Sequence, residues 1–175
     1  MPTMTLLPDG DNNVSSDWQP VGTVDAWDAL TTDNGATSYV KCNDANETMI
    51  IEYANPSVAE ADIDTITSVR FLSSGRSTHR TTGSRVLIDF AVPSGNPSEG
   101  VRYDPHPTSY ETINGAARLY SDGSSAAWTY SNLEALELTC TKVIAIQVYL
   151  SYLALEVTYT EAVSADNATF FGANF

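Results

Sequence analysis

"TKVIAIQVYLSYLALEVTYTE" (141–161) is the most hydrophobic run in the chain. It could be a membrane span, a buried helix or a strand, and the choice sets the fold. A spanning helix needs about 20 mostly apolar residues. Between Lys142 and Glu156 the run is shorter than that, and Gln147 and Ser151 interrupt it. It is dense in Val, Ile and Tyr, which lose χ1 freedom in a helix and fit a pleated sheet. Alternation decides the matter. Ile144, Ile146, Val148, Leu150 and Tyr152 share one parity, while Leu153, Leu155, Val157 and Tyr159 share the other, with Glu156, Thr158 and Thr160 facing away. Two period-2 segments with a phase slip predict one long, central strand with a bulge near Ser151–Ala154.

The remainder of the chain follows the same rhythm. "TSYVKC" (37–42) and "ETMIIEYANPS" (47–57) read as strands, the second stopped at Asn55-Pro56. "DTITSVRFLSSGR" (64–76) and "GSRVLIDFAVPSG" (83–95) read as a hairpin with a long polar loop. "INGAARLYSDG" (113–123) and "LELTCTK" (136–142) add further strands, about eight to ten in all by this pattern. Two helical turns are expected. One surrounds Asp25–Leu30, with Trp27 and Leu30 on one face; the other lies in "SNLEAL" (131–136), where Ser131 and Glu134 form a capping-box pattern. The expectation is all-β: a jelly-roll-like β-sandwich with two short helical turns and extended terminal arms. The divisions expected are an arm over 1–17, a sandwich over 18–160 and a tail over 161–175.

Composition narrows the function classes. The 175 residues carry 22 acids against 8 bases, a net charge of −14. Nucleic-acid affinity comes from Lys and Arg displacing counterions, so direct binding to nucleic acid is not expected. No membrane segment is expected, and "MPTMTLLPDGDNN" has neither the basic start nor the apolar core of a signal peptide. Cys42 and Cys140 are expected as two buried free thiols rather than a disulfide. "NET" (46–48) and "NAT" (167–169) match the glycosylation acceptor pattern, which matters only in a eukaryotic secretory route.

The search for chemistry finds little. His79 in "RSTHRTT" and His106 in "DPHPT" lack partners at metal-ligand spacing and read as loop residues. There is no G-x-S-x-G elbow, no phosphate loop and no dinucleotide fingerprint. Asp9, Asp11 and Asn13 alternate like a calcium loop, but Val14 stands where glycine is required and Pro20 where glutamate is. Asp25, Asp28 and Asp33 read as solvated acids around a helical turn. Trp18, Trp27 and Trp128 with nine tyrosines could line a sugar groove, yet Tyr149, Tyr152 and Tyr159 sit in core-like strands, and core packing is expected for most aromatics. No catalytic residue, cofactor or metal is expected.

The stretch "DWQPVGTVDAWDALTTDNGATSYVK" (17–41) resembles the opening of a jelly-roll domain found in virion proteins of tailed phages and related viruses. "AAWTYSNLEALEL" (126–138) resembles that domain's late helical turn, and "VYLSYLALEVTY" (148–159) its closing strand. The resemblance implies a non-enzymatic structural protein of the virion: a decoration or cement protein on the capsid exterior, with the major capsid protein or other virion proteins as partners. It also implies a homo-oligomer, with a trimer the form suggested. Tail, neck or fibre component is the alternative within that class, and a carbohydrate-binding β-sandwich module is the alternative outside it. The negative charge favours an outward position, away from packaged nucleic acid. In "AVSADNATFFGANF" (162–175), Phe170, Phe171 and Phe175 are candidate anchors for docking on a neighbouring subunit, or for folding back on their own sandwich.

Overall fold

The structure, a computed structural model, describes residues 1–33, 37–78, 86–91, 101–103, 109–121, 125–143 and 147–163. The strands are β1 (Thr3–Leu6), β2 (Pro8–Val14), β3 (Gln19–Val21), β4 (Tyr39–Cys42), β5 (Thr48–Tyr53), β6 (Ile63–Ser77), β7 (Val86–Ala91), β8 (Val101–Tyr103), β9 (Glu111–Asn114), β10 (Glu137–Lys142) and β11 (Val148–Glu161). Two short helices, α1 (Ala26–Ala29) and α2 (Tyr130–Glu134), interrupt them. A front sheet has the order β3-β4-β11-β6-β9, with β1 also pairing β11, and a back sheet has the order β2-β5-β10-β7-β8. All pairings are antiparallel.

The pairing is nested. β4 pairs β11, β5 pairs β10, β6 pairs β9 and β7 pairs β8. Four pairs thus stack along one long antiparallel ribbon, which is rolled so that alternate pairs fall in opposite sheets. This is the jelly-roll order, and the fold class is the all-β sandwich expected from the alternation.

β11 lies in the middle of the front sheet, as its hydrophobicity requires. Val148, Leu150, Leu153, Leu155 and Val157 are fully buried. Its pairing with β6 shifts register between Leu150 and Tyr152, the bulge that the phase slip predicts. Ile144 and Ile146, assigned to the same run, lie outside the described residues. At the bulge, strand partners on one side of β11 change from β4 to β1. Leu153 sits between them. Its amide donates to the Leu30 carbonyl at the end of α1 (3.1 Å), and its carbonyl accepts from the Tyr53 hydroxyl of the back sheet (3.2 Å). Both main-chain groups are therefore satisfied on the side where β11 has neither β4 nor β1 beside it.

Several expectations are corrected. The segment read as an extended arm is largely strand: β1 joins the front sheet with Met4 and Leu6 buried, and β2 joins the back sheet. Its turn-rich composition concealed this, because β2 is an irregular edge strand with two register shifts against β5. β6 and β7 are not a hairpin, since they belong to opposite sheets. Strands facing one core from two sheets show the same alternation as a hairpin, so pattern alone cannot separate them. The strand read over 113–123 is confined to β9, followed by an isolated bridge at Arg118. The capping box exists but begins two residues earlier. Thr129 caps α2 by accepting from the Asn132 amide (3.2 Å), and the Asn132 carboxamide accepts from the Thr129 amide (3.0 Å).

Trp18, Ala26, Ala29 and Leu30 are buried, and Trp27 packs partly against the same core. The opening stretch thus plugs one end of the sandwich. Cys42 and Cys140 are buried free thiols in opposite sheets, as expected. Among the described residues no helix is long and apolar enough to cross a membrane.

Candidate functional site

The outward face of the front sheet carries the most organised cluster of polar and aromatic side chains. On β4, Val40 and Cys42 point into the core, so Tyr39 and Lys41 point out. On β11, Val148 and Leu150 point in and Tyr149 points out. Register then places Gln19 of β3 beside Lys41, Lys41 beside Tyr149, and Tyr149 beside Arg76 of β6. The row continues to Tyr110, just before edge strand β9. At a strand spacing of about 4.8 Å, five strands span roughly 19 Å.

The row is held in place. The Arg76 guanidinium lies 4.0 Å from the Tyr149 ring centroid and 5.4 Å from that of Tyr110, a cation between two rings. Tyr39 meets Tyr149 edge-on with centroids 5.4 Å apart. The Tyr149 hydroxyl donates to the side-chain Oε1 of Gln147, and the Gln147 side-chain Nε2 donates to Asn43 Oδ1 (2.6 Å). Burial pushes the Tyr110 phenol above its usual range, and the neighbouring guanidinium pulls it partly back. Burial also raises the Tyr152 phenol, with the Asp33 charge adding to it. All these rings are half-buried, and the Tyr110 hydroxyl itself is buried.

Only the Arg70–Glu156 pair (2.7 Å) forms an ion pair among the described residues. Arg76 and Lys41 therefore have no carboxylate at that range among them. The face can offer guanidinium, ammonium and amide donors among its tyrosine rings.

The other candidates are less equipped. A cleft of about 350 Å³ is lined by Glu60, Asp64, Thr65, Trp128, Thr129 and Tyr130 among others. Its groups are already engaged: the Asp64 carboxylate accepts from the Thr65 and Thr160 hydroxyls (both 3.2 Å), the Trp128 indole donates to the Arg118 carbonyl (2.9 Å), and the Tyr130 hydroxyl donates to the Val58 carbonyl (3.2 Å). Among the described residues no group of three or more His, Cys, Asp or Glu could hold a metal ion. Asp9, Asp11 and Asn13, the calcium-like trio, belong to strand β2. Burial pushes the Cys42 thiol up to about 11 and that of Cys140 to about 12, so neither is a ready nucleophile. Burial lowers the Lys142 ammonium, while Cys42 and Asp44 beside it act in the opposite sense.

His79, His106 and the proposed anchors Phe170, Phe171 and Phe175 lie outside the described residues. The aromatics expected in the core divide. Trp18, Trp128, Phe71, Phe90 and Tyr159 are buried there, whereas Tyr149 and Tyr152 face outward. Tyr149 has the parity opposite to Val148 and Leu150, and the bulge turns Tyr152 out as well. The outward row was missed because hydrophobic patterning attends to the buried parity. The signal was present in Tyr39, Lys41, Arg76 and Tyr149, which hold the outward positions of their strands.

No family model matches the sequence, and no curated protein matches it. Solved structures similar to the chain include a "Family 16 Carbohydrate Binding Module-2", at 14% identity and a TM-score of 0.44, covering 84% of this chain and 90% of that one. A second is CBM29_1, a Family 29 carbohydrate binding module from Piromyces equi, at 9% identity and a TM-score of 0.42, covering 89% and 91%. A third is the CBM22-1 xylan-binding domain from Paenibacillus barcinonensis Xyn10C, at 8% identity and a TM-score of 0.42, covering 90% and 94%. Likeness at this level carries no functional argument; the sandwich itself follows from the strand order.

Proposed function

We propose that this chain is a non-catalytic recognition module that binds a glycan across the outer face of its front sheet. The observation that carries the reading is the row Gln19–Lys41–Tyr149–Arg76–Tyr110, which crosses four strands and ends beside the edge strand β9. A row of that length suits an extended polymer better than a single small molecule. Its members are amphipathic or charged donors, matched to a ligand dense in hydroxyls and other oxygens. A protein partner would favour a desolvated apolar centre instead. Affinity electrophoresis through gels holding neutral and acidic polysaccharides tests the reading. Retardation by at least one of them is expected, and it should be lost in Tyr149→Ala with the fold retained. A folded protein that no polysaccharide retards would overturn it.

A second reading, the capsid decoration or cement protein, is favoured by the resemblance at both ends of the sandwich and by the net charge of −14. It keeps Phe170, Phe171 and Phe175 as docking anchors on the major capsid protein or a neighbouring copy, in a homo-oligomer on the capsid exterior. Deleting 162–175 should then leave a folded sandwich that no longer co-sediments with capsids. Unchanged co-sedimentation and unchanged elution on size exclusion would remove the anchors from that reading.

A further inference from the structure

The glycan reading leaves open which glycan. We propose that Arg76 and Lys41, on either side of Tyr149, form an anion-binding centre, so that the ligand is an acidic polysaccharide bearing carboxylate or sulfate groups. This rests on the glycan reading above and adds the charge of the ligand to it.

Arg76 is held by the rings on either side of it. A free arginine side chain loses rotamer entropy on binding, which weakens the gain from any contact it makes. Here the guanidinium is already fixed between the Tyr149 and Tyr110 rings at 4.0 and 5.4 Å. Cation–π packing orients it but leaves its N–H edges able to meet an anion in the fork geometry that suits carboxylate and sulfate oxygens. Packing also covers a face of the Tyr149 ring, so that face is not free for a neutral sugar to stack upon. Contact there must come from the guanidinium edges and Lys41, both of which can donate, since the Tyr110 hydroxyl is buried and that of Tyr149 already donates to Gln147.

Charge distribution points the same way. The chain has 8 basic residues against 22 acidic ones. Lys41 and Arg76 nonetheless flank a single tyrosine in one row, with no ion-pair partner among the described residues. The nearest acid in register, Glu111, pairs with Gly75 on the edge strand, one position along. A surface salt bridge would have been the ordinary use of these cations in so acidic a protein. The net charge opposes polyanions at long range, but beyond about 8 Å it is screened at physiological salt, so contact charges decide. The same net charge makes retention by a polyanion informative, since adventitious sticking is disfavoured from the start.

The test uses two matched pairs on the full chain: polygalacturonate against its methyl ester, and dextran sulfate against dextran. Retardation by a charged member and not by its neutral twin is expected, and the pair that responds identifies carboxylate or sulfate. Arg76→Gln should weaken it about ten-fold or more, since charge-assisted hydrogen bonds are lost. Lys41→Gln should weaken it less, and Arg76→Lys should fall between, keeping charge without the fork. Each variant's melting temperature is measured alongside; if Arg76→Gln does not fold, Lys41→Gln carries the test. Equal retardation by charged and neutral members, or binding confined to neutral polysaccharides, overturns the inference and leaves the glycan reading standing. No retardation by any polysaccharide overturns both.

Discussion

The two outward faces of this sandwich are built by the same rule and could hardly differ more. The front face presents tyrosines and cations in register, whereas the back face presents acids. On the back sheet, Glu52 and Glu137 stand directly opposite each other on β5 and β10. Asn12 of β2 donates to Glu137 (2.9 Å), a neutral partner rather than a cation. Asp89 of β7 is partly buried, and burial raises its carboxyl above the ordinary value while Arg118 pulls it back. Like charges directly opposite in a ladder are destabilising. Among the described residues the back face thus tolerates local repulsion, while the front face spends its cations on a fixed array. Both faces share one core, so the contrast shows that the core-facing parity decides the fold and the opposite parity decides what the surface can bind.

The largest expected effect comes from striking what the faces share. Val157 is fully buried in β11, and Val157→Asp puts an unpaired charge into the core. A loss of several kcal/mol, on the order of half the stability of a typical domain, is expected in urea unfolding. A variant that melts like the parent would contradict the placement of β11. Tyr53→Phe is next. It removes the bond to the Leu153 carbonyl that ties back sheet to front. Leaving that buried acceptor unsatisfied should cost about 1–3 kcal/mol. Polysaccharide retardation should survive it, because the bond lies in the core.

The back face then yields smaller changes of opposite sign. Glu137→Gln keeps an acceptor for Asn12 and removes the repulsion with Glu52, for an expected gain of about 0.2–1 kcal/mol. No change in retardation should accompany it; an equal change would erase the distinction between the faces. The smallest expected effect is Asp89→Asn, since Arg118 already offsets part of the burial. A carboxyl raised on folding binds more protons in the native state than in the unfolded one, so stability falls as pH rises through the folded pKa. Asp89→Asn should therefore stabilise at neutral pH, and the gain should fade as pH drops toward the ordinary carboxylate range. Melting curves at pH 7 and pH 4 check both the sign and the trend.

Much of the fold was legible because burial leaves a period. The parity switch across Leu150–Leu153 announced both the strand and its bulge, and the alternation in "VLIDF" (86–90) marked β7. Which sheet each strand joins was not legible, because β6 and β7 face one core from opposite sides. β1 and β2 were hidden for another reason. β1 has only four residues, and β2, rich in Asp, Asn and Gly, contradicts strand propensity; their pairing is supplied by β11 and β5. The candidate site was least legible. Gln19, Lys41, Arg76, Tyr110 and Tyr149 are scattered along the chain, and only the register of the front sheet brings them into a row.

The nested pairing also governs the order in which the molecule can be made. β4 and β6 are neighbours in the front sheet only through β11, which follows both of them in the chain. Until that strand leaves the ribosome, the front sheet has no centre. Val40, Val69 and Phe71, buried in the finished molecule, have nothing to close over them while they wait. Closure of the front sheet must then await β11, through pairings of long sequence separation that for such topologies take about milliseconds to seconds. The strands made before β11 are therefore exposed to aggregation until that one strand arrives to pair with them.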